Sequence, residues 1–343
     1  MATSASAAEA SSEDPAPDPA GEQRPKPVPW RPAVVVIGLA LVMGALFAAS
    51  YTLALGRPQP RDVPVAVVGA TQINARITGA LESGAEHGLD LRPYPSLAAA
   101  RAAVDDQRVY AIVDGGGNPP ALYVSSASGA SVARVLTQVV QAVPPDLGVR
   151  VIDLHPLPPT DPQGLTSFYV TIAATILGLV TVFQLRVHAG GVGLPVWLGY
   201  LTVLSVGTGI VLAVVVGPLI GALDGPFWEI ALALALQTAT TASFNSLMIL
   251  LVGKWAIIPT WGVFILLGNT SSGGAVAAPL LPAFFAAVGR GLPTGATVAA
   301  LHEAVYFRGH QHLEPFLVLA AWWAVAGIAL VLGTRWRGKS PAQ

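Results

Sequence analysis

Apolar and polar positions divide the chain into two regimes. Between residues 57 and 165 apolar positions alternate with polar ones or recur at helical spacing, whereas to either side they run on without charge. Val34–Leu55 gives 22 uncharged residues, about 33 Å as a helix, which is enough to cross a bilayer core. That run is longer than the ~7–15 residues of a signal-peptide core, and its leader is acidic, so an uncleaved anchor over 33–56 is expected. Ser167–Leu185, Leu194–Leu223, Ile230–Gly253 and Pro315–Gly333 are each long enough to span. Trp255–Gly289 is also uncharged, but at about 52 Å it is too long for one helical crossing. GNTSSGG at Gly268–Gly274 cuts it, Pro279 and Pro282 follow, and an apolar piece so short often re-enters rather than spans.

Inside 57–165 the period changes. VPVAVV (Val63–Val68), LDLRPY, VYAIVD (Val109–Asp114), ALYVSS (Ala121–Ser126) and Val149–Leu154 read as strands. Thr71–His87, with Ile73, Ile77 and Leu81 four apart, reads as a helix. So do Leu97–Gln107, with Ser96 as N-cap, and Ser131–Ala142. Such alternation predicts a small α/β domain large enough to bury its own core.

Charge follows the same division and sets direction. Residues 57–165 carry 18 charged side chains in 109 positions, and residues 166–334 carry 8 in 169. The first density suits water and the second suits lipid. Net charge is −1 and there is no cysteine, which excludes an electrostatic nucleic-acid binder, disulfides and thiolate metal sites. Arg24, Lys26 and Arg31 precede the anchor, and Arg335, Arg337 and Lys339 follow the last span, so both termini are expected in the cytoplasm. An even number of spans follows. The expectation is six transmembrane helices, a re-entrant external segment at 269–290 and a small inserted α/β extracytoplasmic domain. The divisions are a disordered tail at 1–32, the anchor at 33–56, the α/β domain at 57–165, a five-span membrane domain at 166–334 and a basic tail at 335–343.

Candidate chemistry is sparse. GTRWRGKS at Gly333–Ser340 fits the letters of a phosphate-binding loop, yet an apolar span precedes it and three residues follow, so it reads as a basic stop-transfer tail. The DGGGN stretch at Asp114–Asn118 opens no helix and reads as a turn, and Asp105 and Asp106 read as a solvated face. His302, Glu303, His310, His312 and Glu314 resemble a metal cluster, but Tyr306 stands where H-E-x-x-H needs its second histidine, so no metal is expected. No acid–base or nucleophile constellation appears, and neither an enzyme nor a cofactor is expected. Gln237, Thr241 and Asn245 share one face of the Ile230–Gly253 span. Such a face either hydrogen-bonds to a neighbouring helix or lines a polar path, and these three are the candidate substrate-path residues. Gly268, Asn269, Ser271, Ser272, Gly273 and Gly274 form the candidate broken segment, whose backbone groups need protein or water as partners at membrane depth.

The order of these pieces, together with SLAAARAAVDDQRVYAIVDG at Ser96–Gly115 and LLGNTSSGGAVAAPLLPAFFAAVGRGLPTGATVAALHEAVYF at Leu266–Phe307, resembles the membrane subunit of type-2 ABC exporters. Within that superfamily it is most similar to the phage-infection-protein-like branch. The resemblance spans roughly 33–334 and implies a plasma-membrane permease in a bacterial cell. It also implies a homodimer, an ATP-binding cassette ATPase supplied in trans, an amphiphilic or envelope-related substrate and a re-entrant helix at Ala275–Gly289. The chain departs from the pattern between Arg186 and Leu194, where only HAGGVG is left for a helix that would grip the ATPase. The alternative reading is a non-transporting receptor or scaffold whose external domain binds an envelope partner.

Overall fold

The computed structural model describes residues 30–337. The expected tail at 1–32 therefore lies outside the described residues except for Trp30–Pro32, as does the basic tail after Arg337. Trp30–Pro32 open the first helix, α1 (Trp30–Leu55), three residues ahead of the expected start; a proline is tolerated there because first-turn N–H groups have no intrahelical acceptor. The chain forms two units that divide within α1, between Gly44 and Ala45. The described part of the first is the opening half of α1, where the Arg31 guanidinium sits 5.4 Å from the Trp30 ring centre.

The second unit contains a five-stranded sheet of order β2-β1-β3-β4-β5. Its strands are β1 (Val63–Val68), β2 (Leu89–Tyr94), β3 (Ala111–Asp114), β4 (Ala121–Val124) and β5 (Arg150–Asp153). All pairings are parallel except β3 with β4, whose short connection permits an antiparallel hairpin. Helices α2 (Gln72–Gly84), α3 (Leu97–Asp105) and α4 (Ala130–Val139) cover it. The strand period of two sorts the side chains. Val65, Val113 and Leu122 join α2 and α4 in one core, while Ala66, Ile112 and Tyr123 join α3 in the other. Thr71 and Ser96 cap their helices by accepting from the backbone N–H of Asn74 and Ala99. Helix α2 stops three residues short of the expected His87, because Glu86 and His87 take positive φ values of 52° and 59° in the turn to β2.

One part of this core comes from far along the chain. Val276, Ala277 and Leu280, just past the broken segment, pack among Val65, Leu81, Leu122 and Leu136. The Ala277 N–H donates to Ser131 Oγ at 2.9 Å. The Arg61 N–H donates to the Pro279 carbonyl at 2.9 Å, and its guanidinium to the Leu281 carbonyl at 3.0 Å. The α/β layer is thus completed by residues outside 57–165.

Helices α5 (Thr166–Ala189), α6 (Leu194–Val214), α7 (Phe227–Val252) and α11 (Glu314–Arg337) form the bundle. Among the described residues five helices are long and apolar enough to cross a membrane: α1, α5, α6 with its extension to Leu219, α7 and α11. The bent pair Ala283–Gly289 and Pro293–Tyr306 makes a sixth if it is taken as one span. Asp161 sets the start of α5, its carboxylate accepting from the N–H groups of Leu165 and Thr166 at 2.9 Å each. Pro218, which has no N–H to donate, lies in the π turn Val215–Leu219 that ends the third long run, four residues before the expected Leu223. Helices α6 and α7 approach closely at Gly209, where a Cβ would collide with the Ala231 carbonyl.

The Trp255–Gly289 stretch is broken as its length requires, at a slightly different place. Helix α8 (Ile257–Trp261) widens into a π stretch over Gly262–Asn269, which makes a shorter apolar helix of Ile257–Asn269. The chain then turns, contributes Val276–Leu280 to the α/β core, and forms α9 (Ala283–Gly289) and α10 (Pro293–Tyr306), bent from each other by 74°.

Candidate functional site

The three residues expected to line a path stand together, in the interior of the bundle. Gln237, Thr241 and Asn245 are all 0% exposed. Gln237 Nε2 donates to Thr175 Oγ1 of α5 at 2.7 Å, and its Oε1 accepts from Thr297 Oγ1 of α10 at 2.9 Å. Asn245 Nδ2 donates to the Leu179 carbonyl at 3.1 Å, and its Oδ1 accepts from Thr260 Oγ1 at 3.0 Å. Thr241 donates to the Gln237 carbonyl within its own helix at 3.0 Å. The face is a hydrogen-bonded seam joining α7 to α5, α8 and α10, and none of the three residues borders the main hollows of the structure.

The broken segment does border open space. A crevice of about 500 Å³ lies between the end of α3, the segment 271–278, the α9–α10 corner and the start of α11. Ser271, Ser272 and Gly273 form one wall, Asp106 and Gln107 another, and Arg290, Glu303, His312 and Glu314 bring charge to the rest. Gly268 and Asn269 are buried and do not border the crevice, and Gly274 lines a separate small hollow with Ser126 and His302. A Cβ at Gly289 would strike the Ser271 carbonyl, so glycine at that position lets α9 sit directly against the broken segment.

Charge in the crevice is partly committed. Asp106 accepts from Arg108 at 2.8 Å and faces His310 Nδ1 at 2.8 Å, contacts that tie α3 to the α10–α11 turn. The bond to His310 is the main reason the Asp106 carboxyl titrates below its ordinary value. Glu303 lies outside the five candidate spans and is buried. It accepts the His312 backbone N–H at 2.6 Å, with His312 Nδ1 3.4 Å away. Among the described residues, Arg290 and Glu314 have no ion-pair partner. Two buried polar atoms of the lining, Gln107 Nε2 and Ser271 Oγ, have no hydrogen-bond partner. A buried polar group left unpaired costs about 1–3 kcal/mol.

The histidines and acids that resemble a metal cluster are spread around this region. His310 faces Asp106, His312 faces Glu303, and His302 turns to the other side, beside Ser126 and Gln163. Among the described residues no group of three or more His, Asp or Glu side chains stands close enough to hold a metal ion. Sequence reasoning singled out Ser271 and Ser272 but missed Gln107 and Arg290, and set Asp106 aside as solvated. No local signal marks these residues, because Asp106 and His310 meet across 204 positions of chain. Compared with models of known families, with curated proteins and with solved structures, the chain matches none.

Proposed function

We propose that this chain is the membrane subunit of a type-2 ABC-like exporter that moves an amphiphilic or envelope-related molecule. The observation that carries the reading is the crevice, which joins the broken apolar segment, the α/β layer and the polar end of a candidate span in one open polar space. Pockets of this size, about 300–1,000 Å³, suit small ligands, and a site at the end of a span can be reached from water and from lipid. In this reading Ile257–Asn269 is the sixth crossing, and the re-entrant stretch expected at 269–290 extends through the bent α9–α10 hairpin on the external side. Both termini are cytoplasmic in a bacterial plasma membrane, and the protein works as a homodimer. An ATP-binding cassette ATPase in trans meets the α5–α6 turn. A hollow of about 300 Å³ bordered by Arg186, Trp197 and Thr334 opens at that end. Because the Gln237–Asn245 seam is closed within one chain, substrate passes it only when α5, α7 and α10 separate.

The closed seam also favours the second reading, a non-transporting receptor or scaffold that uses the α/β layer. Inside-out vesicles containing the chain and its co-purifying ATPase distinguish the two. The exporter reading expects ATP-dependent movement of a labelled amphiphile, and purification without any ATPase or ATP-driven movement would sink it. For orientation, Ser126→Cys should react with an impermeant external thiol reagent in intact cells, and Ser340→Cys should not. Labelling of the latter would break the six-span arrangement.

A further inference from the structure

Arg290 and Glu314 are exposed, carry opposite charge, line the same crevice and have no ion-pair partner among the described residues. The remaining acids of the lining are engaged, Asp106 by Arg108 and His310 and Glu303 by His312. Ser271, 3% exposed, and Gln107 line the same crevice, and the Ser271 hydroxyl and the Gln107 amide nitrogen have no partner. The rest of the wall is small and apolar, with Ala286, Ala296 and Ala299 on the hairpin and Val318 on α11. One free cation, one free anion, two idle neutral hydrogen-bonding groups and an apolar floor make a receptor for a molecule that carries both signs of charge on a compact head.

We propose that the crevice binds a zwitterionic headgroup bearing an ammonium and a phosphate. The ammonium lies toward Glu314, with the Glu303 carboxylate behind it, and the phosphate lies toward Arg290, with the Ser271 hydroxyl and the Gln107 amide as further partners. Guanidinium suits phosphate because its planar fork presents paired donors, and an ammonium with N–H groups pairs with carboxylate by charge-assisted hydrogen bonds. The crevice opens at the first turn of α11, a helix apolar enough to span, so an acyl chain on the same molecule finds lipid next to the headgroup. This deepens the exporter reading and rests on its placement of the crevice at the external membrane boundary.

The test uses the full chain purified in mild detergent and native mass spectrometry with short-chain phosphatidylethanolamine, short-chain phosphatidylglycerol and free phosphoethanolamine. The protein should retain phosphatidylethanolamine at least about tenfold better than phosphatidylglycerol, which lacks the ammonium. Arg290→Ala and Glu314→Gln should each weaken retention by about tenfold while leaving the melting temperature unchanged, because both side chains are exposed. Ala299→Trp, which fills the crevice and keeps every charge, should also release the lipid. Displacement by excess phosphoethanolamine would identify a soluble zwitterion as sufficient, and persistence of the lipid adduct would identify the membrane lipid as the source. Equal retention of the two lipids, or charge variants that bind like the parent chain, would overturn the inference. Absent binding with ATP-driven movement intact counts against this site alone, whereas binding without movement counts against the exporter reading.

Discussion

The α/β layer and the helical bundle both bury apolar clusters, but the bundle buries many more polar side chains beside them. In the α/β layer the clustered interior is Val, Ile, Leu and Ala, with Asn74 and Ser125 buried beside it. In the bundle, α7 alone buries Gln237, Thr238, Thr240, Thr241, Ser243, Asn245 and Ser246, while Val, Leu, Ile and Trp face outward on α6 and α11. Water expels apolar groups, so a core facing water is apolar. Lipid gives apolar groups no such drive and offers polar groups no partner, so the bundle turns its polar side chains inward and bonds them to one another. Segment 276–280 shows where the rules change: it leaves a polar turn bordering the bundle and supplies apolar side chains to the sheet.

The sharpest break in this comparison comes from placing charge in the sheet core. Leu280 is among the largest fully buried side chains there, although it lies more than a hundred positions from β5. Leu280→Asp should destabilise the α/β layer by on the order of 4 kcal/mol, through an unpaired buried charge. Thermal melting and limited proteolysis of the full chain should show the loss, and a parent-like melt would mean that the segment is not part of the core. For the same reason a fragment restricted to 60–162 should melt well below the intact chain.

Polar deletion in the bundle should cost less. Gln237→Ala with Asn245→Ala removes four side-chain bonds, and bonds of this kind average only about 0.6 kcal/mol, so the pair should lose about 2–2.5 kcal/mol. A seam that only packs would keep activity per folded molecule in vesicles. Normal melting with abolished transport would show instead that the face meets substrate during the cycle.

The smallest effect concerns the tie between α3 and the α10–α11 turn. The hydrogen bond with His310, and then Arg108, hold the Asp106 carboxyl below its ordinary value of 3.8. A depressed folded value means that the stabilisation is fully present above the ordinary value and is lost as pH falls through the lower one. Hydrogen exchange in Phe307–His312 should therefore quicken in Asp106→Asn at neutral pH, and in the parent chain only below that ordinary value. Identical exchange in both would show that the pair orders nothing.

Run length along the chain determined the helices long and apolar enough to span, because a crossing demands about twenty consecutive apolar residues and tolerates little else. Period two in the strands, the fourfold spacing of Ile73, Ile77 and Leu81 and the N-cap at Ser96 likewise determined the α/β layer to within a few residues, since those signals act over one turn or one pleat. The inward placement of Gln237, Thr241 and Asn245 was open in the sequence, because spacing fixes a helical face but not what covers it. Only the tertiary structure closed that face with Thr175, Leu179, Thr260 and Thr297, from three other parts of the chain. It alone seated Leu280 in a sheet made of residues 63–153 and set Arg290, Glu314, Ser271 and Gln107 around one crevice. Those contacts join positions far apart in sequence, and the burial and shape that select them exist only once the helices have packed.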